Sequence, residues 1–335
     1  MYNYKDISNE LITVAKLSKE DIFDYDFSPL KLIFEQYFQF CQTNLSERSN
    51  EHNIQPAKFY YVERNGVNAI AGVQNGYYII GVFKETVTRL YNLFYEKNNV
   101  FEDDIELKKY STLKTLNVPL GFLMFQTATL FTYYHEQGHL IQKSEYLASW
   151  LNEQYLESNE RPYSQEKHVL EFDADLNGAH FICYHLIDYW KKQELTFQTQ
   201  ENFQMMLSLG AASVFSYFML LQTNSQDIYY KKYWHPHPVV RISYIIDCFI
   251  KVAEINLPDN IKIDSKHTLT EAFKISDKFF TTVLKNDMVS KFISVYSSET
   301  ENIQTYIIEL MELSKMNPAL VRHKIVYPKK KINSG

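Results

Sequence analysis

Apolar and polar positions divide the chain into a helical opening, one short stretch of strands and a long helical remainder. Apolar residues recur at helical spacing near 8–17 and again over 28–43, where Ser28 stands as a candidate N-cap and Pro29 as a first helical residue. The polar run 44–57 reads as a loop. Over 58–84 the period changes. Three runs rich in β-branched and aromatic residues are separated by Asn65-Gly66 and Asn75-Gly76, and Asn-Gly between such runs signals a tight hairpin. This predicts a three-stranded antiparallel meander over 58–83. Helical patterns follow at 84–97, 118–143, 165–193, 202–222, 238–255, 268–286 and 298–314. The expected fold is α+β and mostly helical, with a small antiparallel sheet. It divides into a helical N-terminal extension (1–55), a central domain (56–255) and a helical C-terminal extension (256–335).

Two segments, 116–134 and 202–226, carry no charged residue. The second is long enough to cross a bilayer, but its Ser, Gln, Asn and Thr residues shorten the apolar part below the roughly 20 residues that a span needs. Both are read as buried core helices, and a membrane-associated protein is the alternative. Composition narrows the picture further. Tyr and Phe are abundant, at 26 and 23, whereas Gly and Pro number nine each. So few turn residues argue against a sandwich or barrel of many short strands. A net charge of −6 gives no reason to expect a nucleic-acid partner. The basic run Lys329–Lys331 near the C-terminus reads as a solvated tail. The three cysteines, Cys41, Cys183 and Cys248, are sparse and odd in number, which suits a reducing compartment without a disulfide framework. The first residues lack a charged segment followed by an apolar one, so a cytoplasmic location is expected.

Candidate chemistry concentrates in three places. His135-Glu136-Gln137-Gly138-His139 is an HExxH motif inside a helical pattern. Residues four apart share a helix face, so both imidazoles can reach one ion at about 2.0–2.1 Å. Glu136 is then placed as a base for a metal-activated water. An apolar run precedes the motif, and unpaired polar groups on a buried helix cost several kcal/mol. A catalytic zinc takes three protein ligands and keeps one open position. Glu171, which opens a further helical pattern, is a natural third ligand, and Asp175, four residues on, can orient a ligand histidine. His168, His180 and His185 lie on the same segment and compete for the ligand role. The third place is Trp234-His235-Pro236-His237-Pro238, followed by Arg241. Its two imidazoles and guanidinium could stabilise an oxyanion, or could hold the Glu171 helix in place.

Together these motifs resemble the gluzincin metallopeptidases of the HtpX heat-shock protease and CAAX-prenyl protease superfamily, with its small soluble relatives. That family reads HExxH, then Glu followed by Ala-Asp, then His-Pro with an Arg about six residues after the His. The matching residues are His135, Glu136 and His139, then Glu171 with Ala174-Asp175, then His235-Pro236 with Arg241. A softer match is Asn68-Ala69-Ile70-Ala71-Gly72 followed by the Ile-rich run 76–82. The resemblance implies that an extended substrate pairs along this edge strand, Asn68 to Ala71. It favours Glu171 over the three competing histidines, and it covers residues 67–242. The separation of His139 from Glu171 is shorter than the family's, and the segment before the metal helix is longer, with an added helix at 84–97. A looser likeness links the chain to Lit-type phage-exclusion proteases.

These readings converge on an expectation. The chain is a zinc-dependent endopeptidase with one Zn2+ per chain, held by His135, His139 and Glu171. Its base is Glu136, its oxyanion stabiliser His235, His237 or Arg241, its ligand-orienting residue Asp175, and its partner a protein or peptide substrate. A cytoplasmic regulatory or phage-defence role would suit it. The rivals are a membrane-associated protease of the same chemistry, a non-catalytic zinc-binding interaction module, and a regulator-cleaving peptidase active only with a trigger peptide or partner.

Overall fold

A computed structural model describes residues 1–96, 99–116, 118–144, 147, 163–221, 227–318, 320 and 322. The expected tail at Lys329–Lys331 and the last residues of the 84–97, 202–222 and 202–226 segments lie outside them.

The chain opens with α1 (Tyr4–Thr13), whose N-terminus is capped by the Asn3 side chain accepting from the Lys5 and Asp6 amides. Helix α2 (Lys31–His52) begins after Leu30 rather than at Pro29. The Ser28 hydroxyl accepts from the Leu30 amide, so it closes the preceding turn instead of capping the helix. The helix also continues to His52, through most of the expected 44–57 loop. Cys41, Leu45 and Ser49 keep one buried face at four-residue spacing, and Asn53 ends the helix in the left-handed conformation. The polar composition of that stretch belongs to the outer face.

The sheet differs from the expected meander. Strands β1 (Ala57–Val62), β2 (Ala69–Gln74) and β3 (Tyr77–Phe83) lie in the order β1-β3-β2. β2 pairs antiparallel with β3, whereas β1 pairs parallel with it. Asn75 and Gly76, both at positive φ, make the expected tight hairpin. Asn65-Gly66 does not. Its loop carries the chain to the far edge of β3, and two loop amides bond to the helix beyond the sheet, Gly66 to Glu85 Oε2 and Asn68 to Thr86 Oγ1. β3 takes the centre because five consecutive residues, 79–83, are buried, a pattern that needs cover on both faces. Gly81 is required there. A Cβ at this position would come within 2.7 Å of the Tyr60 ring and 2.8 Å of Val62 Cγ2.

Helix α3 (Lys84–Tyr91) runs into a π turn at Asn92–Glu96. A short α4 (Val100–Asp103) and the 3-10 segment Lys108–Leu116 lead to α5 (Leu120–Gln142). Then come α6 (Gln165–Lys191), α7 (Gln200–Leu221), α8 (Pro238–Asn256), α9 (Ser265–Phe279) and α10 (Met288–Met316). α5, α6 and α8 pack in sequence, with α7 against all three. α7 is long and apolar enough to cross a membrane by length and composition, yet its apolar window is 83% buried inside the protein. α5 likewise lies in the core. One apolar core takes side chains from Tyr4 to Leu320, so the segments before 56 and after 255 share it with the centre. All three cysteines are buried and free.

Candidate metal centre

α5 and α6 approach closely because of one residue inside the HExxH motif. A Cβ on Gly138 would lie 2.9 Å from Ala174 Cα and 3.1 Å from Asn177 Cβ. With hydrogen there, the two backbones come nearly into contact and the Glu171 turn of α6 faces the histidine turn of α5.

The result is a cluster of donor atoms. His135 Nε2 lies 3.1 Å from His139 Nε2 and 3.4 Å from Glu171 Oε2, and His139 Nε2 lies 3.3 Å from Glu171 Oε1. Donors held tetrahedrally at 2.0–2.1 Å from one zinc are about 3.3–3.4 Å apart; the two distances to the Glu171 carboxylate have that length, one to each oxygen, and the His135–His139 separation is slightly shorter. His135, His139 and Glu171 also form a metal-competent group, with one donor atom of each within 4.8 Å of the others. Glu171 Oε2 is buried with no hydrogen-bond partner, an orphaned acceptor that a cation would satisfy.

A polar group stands behind the outer nitrogen of each ring. His139 Nδ1 is 3.1 Å from Gln142 Oε1, while the Gln142 amide nitrogen donates to Leu170 O and Asp173 Oδ2. That assignment makes the oxygen the acceptor and His139 Nδ1 the donor. His135 Nδ1 lies 2.9 Å from Asp175 Oδ1, although its N–H points off the line to that oxygen. Gln142 therefore leaves the His139 Nε2 lone pair facing inward, the tautomer that a metal needs, and His135 presents its Nε2 to the same point.

Asp175 is fully buried and itself held on three sides. Arg241 donates to it twice, Nε to Oδ2 at 2.8 Å and Nη2 to Oδ1 at 2.6 Å, and the Tyr244 hydroxyl donates to Oδ2. Arg241 Nη2 also stands 3.6 Å from Glu171 Oε2, and its guanidinium lies 4.0 Å over the Phe218 ring. Burial disfavours both carboxylates as anions. For Asp175 the Arg241 charge overcomes this, and for Glu171 the surrounding imidazoles do, so each is held below the ordinary carboxylate range. One arginine cannot balance two carboxylates. Without a cation the deficit falls on His135: burial lowers its pKa, but Asp175 and Glu171 overcome this and raise it to about 10. A divalent ion would take over the role of that proton. Burial pushes Glu136 above the usual range, with the neighbouring imidazoles pulling the other way.

The third motif separates into distinct roles. His235 faces the cluster with its Nε2 3.3 Å from Glu171 Oε1, and its side chain is 40% exposed. His237 is fully buried, and its Nδ1 accepts from the Val239 amide as the N-cap of α8. Rings of Tyr229 and Phe292 enclose it. Of the three residues expected as oxyanion stabilisers, His237 is thus held in a closed pocket, with its Nε2 buried and without a hydrogen-bond partner. Arg241 is committed to Asp175, which selects the second of its two expected roles. The competing histidines lie elsewhere. His168 bonds Tyr233 O and the Tyr306 hydroxyl, and His180 and His185 line a cleft behind α6. Asn68 immediately precedes β2 and Ala69 to Ala71 open it; β2 is an edge strand packed against α5, and among the described residues no strand pairs with its outer side.

Two contributors escaped the sequence reading. Gln142 is three residues after His139 and Tyr244 three after Arg241, so both share a helix face with a residue already singled out. No family model matches the chain, and comparisons with curated proteins and with solved structures return no match.

Proposed function

We propose that the chain is a zinc-dependent peptidase built on a zincin-like core, with His135, His139 and Glu171 as ligands and Glu136 as base. The observation that carries this reading is the convergence of three donor groups on one buried point. The Nε2 atoms of His135 and His139 both face the Glu171 carboxylate, whose Oε2 is buried without a hydrogen-bond partner, while Gln142 holds His139 Nδ1 and the Asp175 carboxylate lies 2.9 Å from His135 Nδ1. A protein gains nothing from that arrangement unless a cation fills it.

Bound there, zinc would act as a Lewis acid toward a scissile carbonyl and lower the pKa of a water molecule. Glu136 would take a proton from the attacking water and return it to the departing amine. Its burial keeps it a stronger base than a surface glutamate. His235, the exposed imidazole of the third motif, would donate to the carbonyl oxygen as negative charge develops. Arg241 and Tyr244 keep Asp175 ionised and oriented behind His135. An extended peptide would lie along the open edge of β2. The position of Glu136 beside the ligands favours catalysis over a purely structural zinc, which has no use for a base.

The test is zinc content by plasma emission together with cleavage of quenched fluorescent peptides. Native protein should hold one zinc per chain, and Glu171→Ala should lose most of it. Glu136→Gln should keep the zinc and lose cleavage. Failure of the native chain to take up zinc after reconstitution would overturn the proposal.

A further inference from the structure

Behind α6 lies a cleft of about 480 Å³ that the metal centre does not use, within the size range of small-molecule sites. Its α6 residues begin at His180, nine positions after Glu171, and nine positions are two and a half helical turns. The cleft therefore opens on the opposite side of α6. Phe40, Tyr134, Phe181 and Tyr184 give it aromatic walls, and Arg48 and Arg322 give it charge.

The arrangement of the two arginines is unusual. Tyr134 stacks on the Phe181 ring with centroids 4.5 Å apart. The Arg48 and Arg322 guanidinium carbons lie 4.4 and 4.9 Å from the centroid of that same ring. Two like charges are thus gathered at one ring. Among the described residues neither has an ion-pair partner, and Arg322 is buried. Arg322 is fixed by its Nε donating to Asn177 Oδ1 at 2.9 Å, and Asn177 is fixed by donating to Tyr134 O at 2.6 Å. Among the described residues no hydrogen-bond acceptor meets its Nη atoms. A further polar atom, His180 Nδ1, is buried in the same cleft without a hydrogen-bond partner. Among the described residues the carboxylate in the lining is that of Asp188, an exposed residue.

Gathered cations repel; among the described residues a hydrogen bond, ring contacts and the charge of the buried Asp173 near Arg322 oppose that repulsion. A dianion between them would relieve the repulsion, and two guanidinium forks match the oxygens of a phosphate. The aromatic walls would cover a flat apolar group attached to it. We propose that this cleft binds an aryl phosphate monoester, with Arg48 and Arg322 on the phosphate and the aromatic walls around the ring. The proposal does not depend on the metal centre being catalytic.

The test is calorimetric titration of the full chain with phenyl phosphate and with inorganic phosphate, in the native protein, Arg48→Gln and Arg322→Lys. Phenyl phosphate should bind at least about tenfold more tightly than inorganic phosphate. Arg48→Gln should weaken it by about tenfold or more, the loss expected for a charge-assisted hydrogen bond. Arg322→Lys keeps the charge without the fork and should retain part of the affinity. Circular dichroism melting establishes that each variant is folded. Absence of binding to the native chain at millimolar phenyl phosphate would overturn the proposal. So would equal binding of the two anions, or binding that Arg48→Gln leaves unchanged, as expected if phosphate sat on a metal instead.

Discussion

Gly138→Ala probes the contact on which the candidate centre is built. The added Cβ would meet Ala174 Cα at 2.9 Å and Ala174 Cβ at 3.3 Å. The first contact is backbone, so no side-chain rotation relieves it. Restoring ordinary carbon–carbon contact, about 3.5–4.0 Å, requires α5 and α6 to separate by roughly 0.5–1 Å. Overpacking of this kind costs about 1–3 kcal/mol. It also matches or exceeds the displacement of about 0.5 Å that a preorganised site tolerates. Glu171 would then leave its 3.3–3.4 Å spacing to the histidines, and zinc affinity should fall by about 10–100-fold, as when a supporting residue is lost. Urea unfolding and competition with a zinc chelator measure the two effects separately. Gly210→Ala is the control. Its Cβ would press on Leu186 Cδ1, the end of a flexible side chain, at 2.8 Å, so stability should drop less and zinc binding should not change. If Gly138→Ala kept native stability and zinc affinity within about twofold, the close helix contact would not be what positions Glu171.

Other consequences can be measured independently. Tyr244→Phe removes a buried hydroxyl that donates to the Asp175 carboxylate; it should cost about 1.5–3 kcal/mol in denaturant unfolding, the range for hydrogen bonds to charged groups, and weaken zinc. Arg241→Met leaves Asp175 buried without its cation and should cost about 3–5 kcal/mol; a loss below about 1 kcal/mol would show that Asp175 is not held ionised by this pair. His168 is fully buried, and burial lowers its pKa to about 4, with the Tyr233 carbonyl opposing. The unfolded chain takes up this proton near pH 6.5, the folded chain only near 4, so stability should decline as pH falls through that window. The full effect is about 3 kcal/mol, and unfolding curves of His168→Gln should lack that part of the decline.

Much of the candidate centre was legible in the sequence because its elements are local. Two residues four apart on a helix share a face whatever surrounds them, so HExxH and the Glu171–Asp175 pair could be read directly. Asn75-Gly76 likewise encodes its own turn. Where the sequence reading departs from the structure, the deciding force was not local. Asn65-Gly66 carries the same signal, but anchoring of its loop to Glu85 and Thr86 and the need to cover both faces of β3 placed β1 on the far side. The 44–57 stretch looked like loop by composition, and only packing of Leu45 and Ser49 shows it as helix.

The same division runs through the site. Sequence alone determined which side chains make up the candidate centre and which helix faces present them, since both follow from residue type and backbone period. Tertiary structure decided that Glu171 stands within 3.4 Å of His135, because that distance depends on the Gly138–Ala174 contact between two helices. It also separated His235 from His237. These two imidazoles stand two residues apart, yet the fold leaves one facing the cluster and closes the other under Tyr229 and Phe292. Exposure is set by what packs against a residue, and no spacing along a chain encodes that.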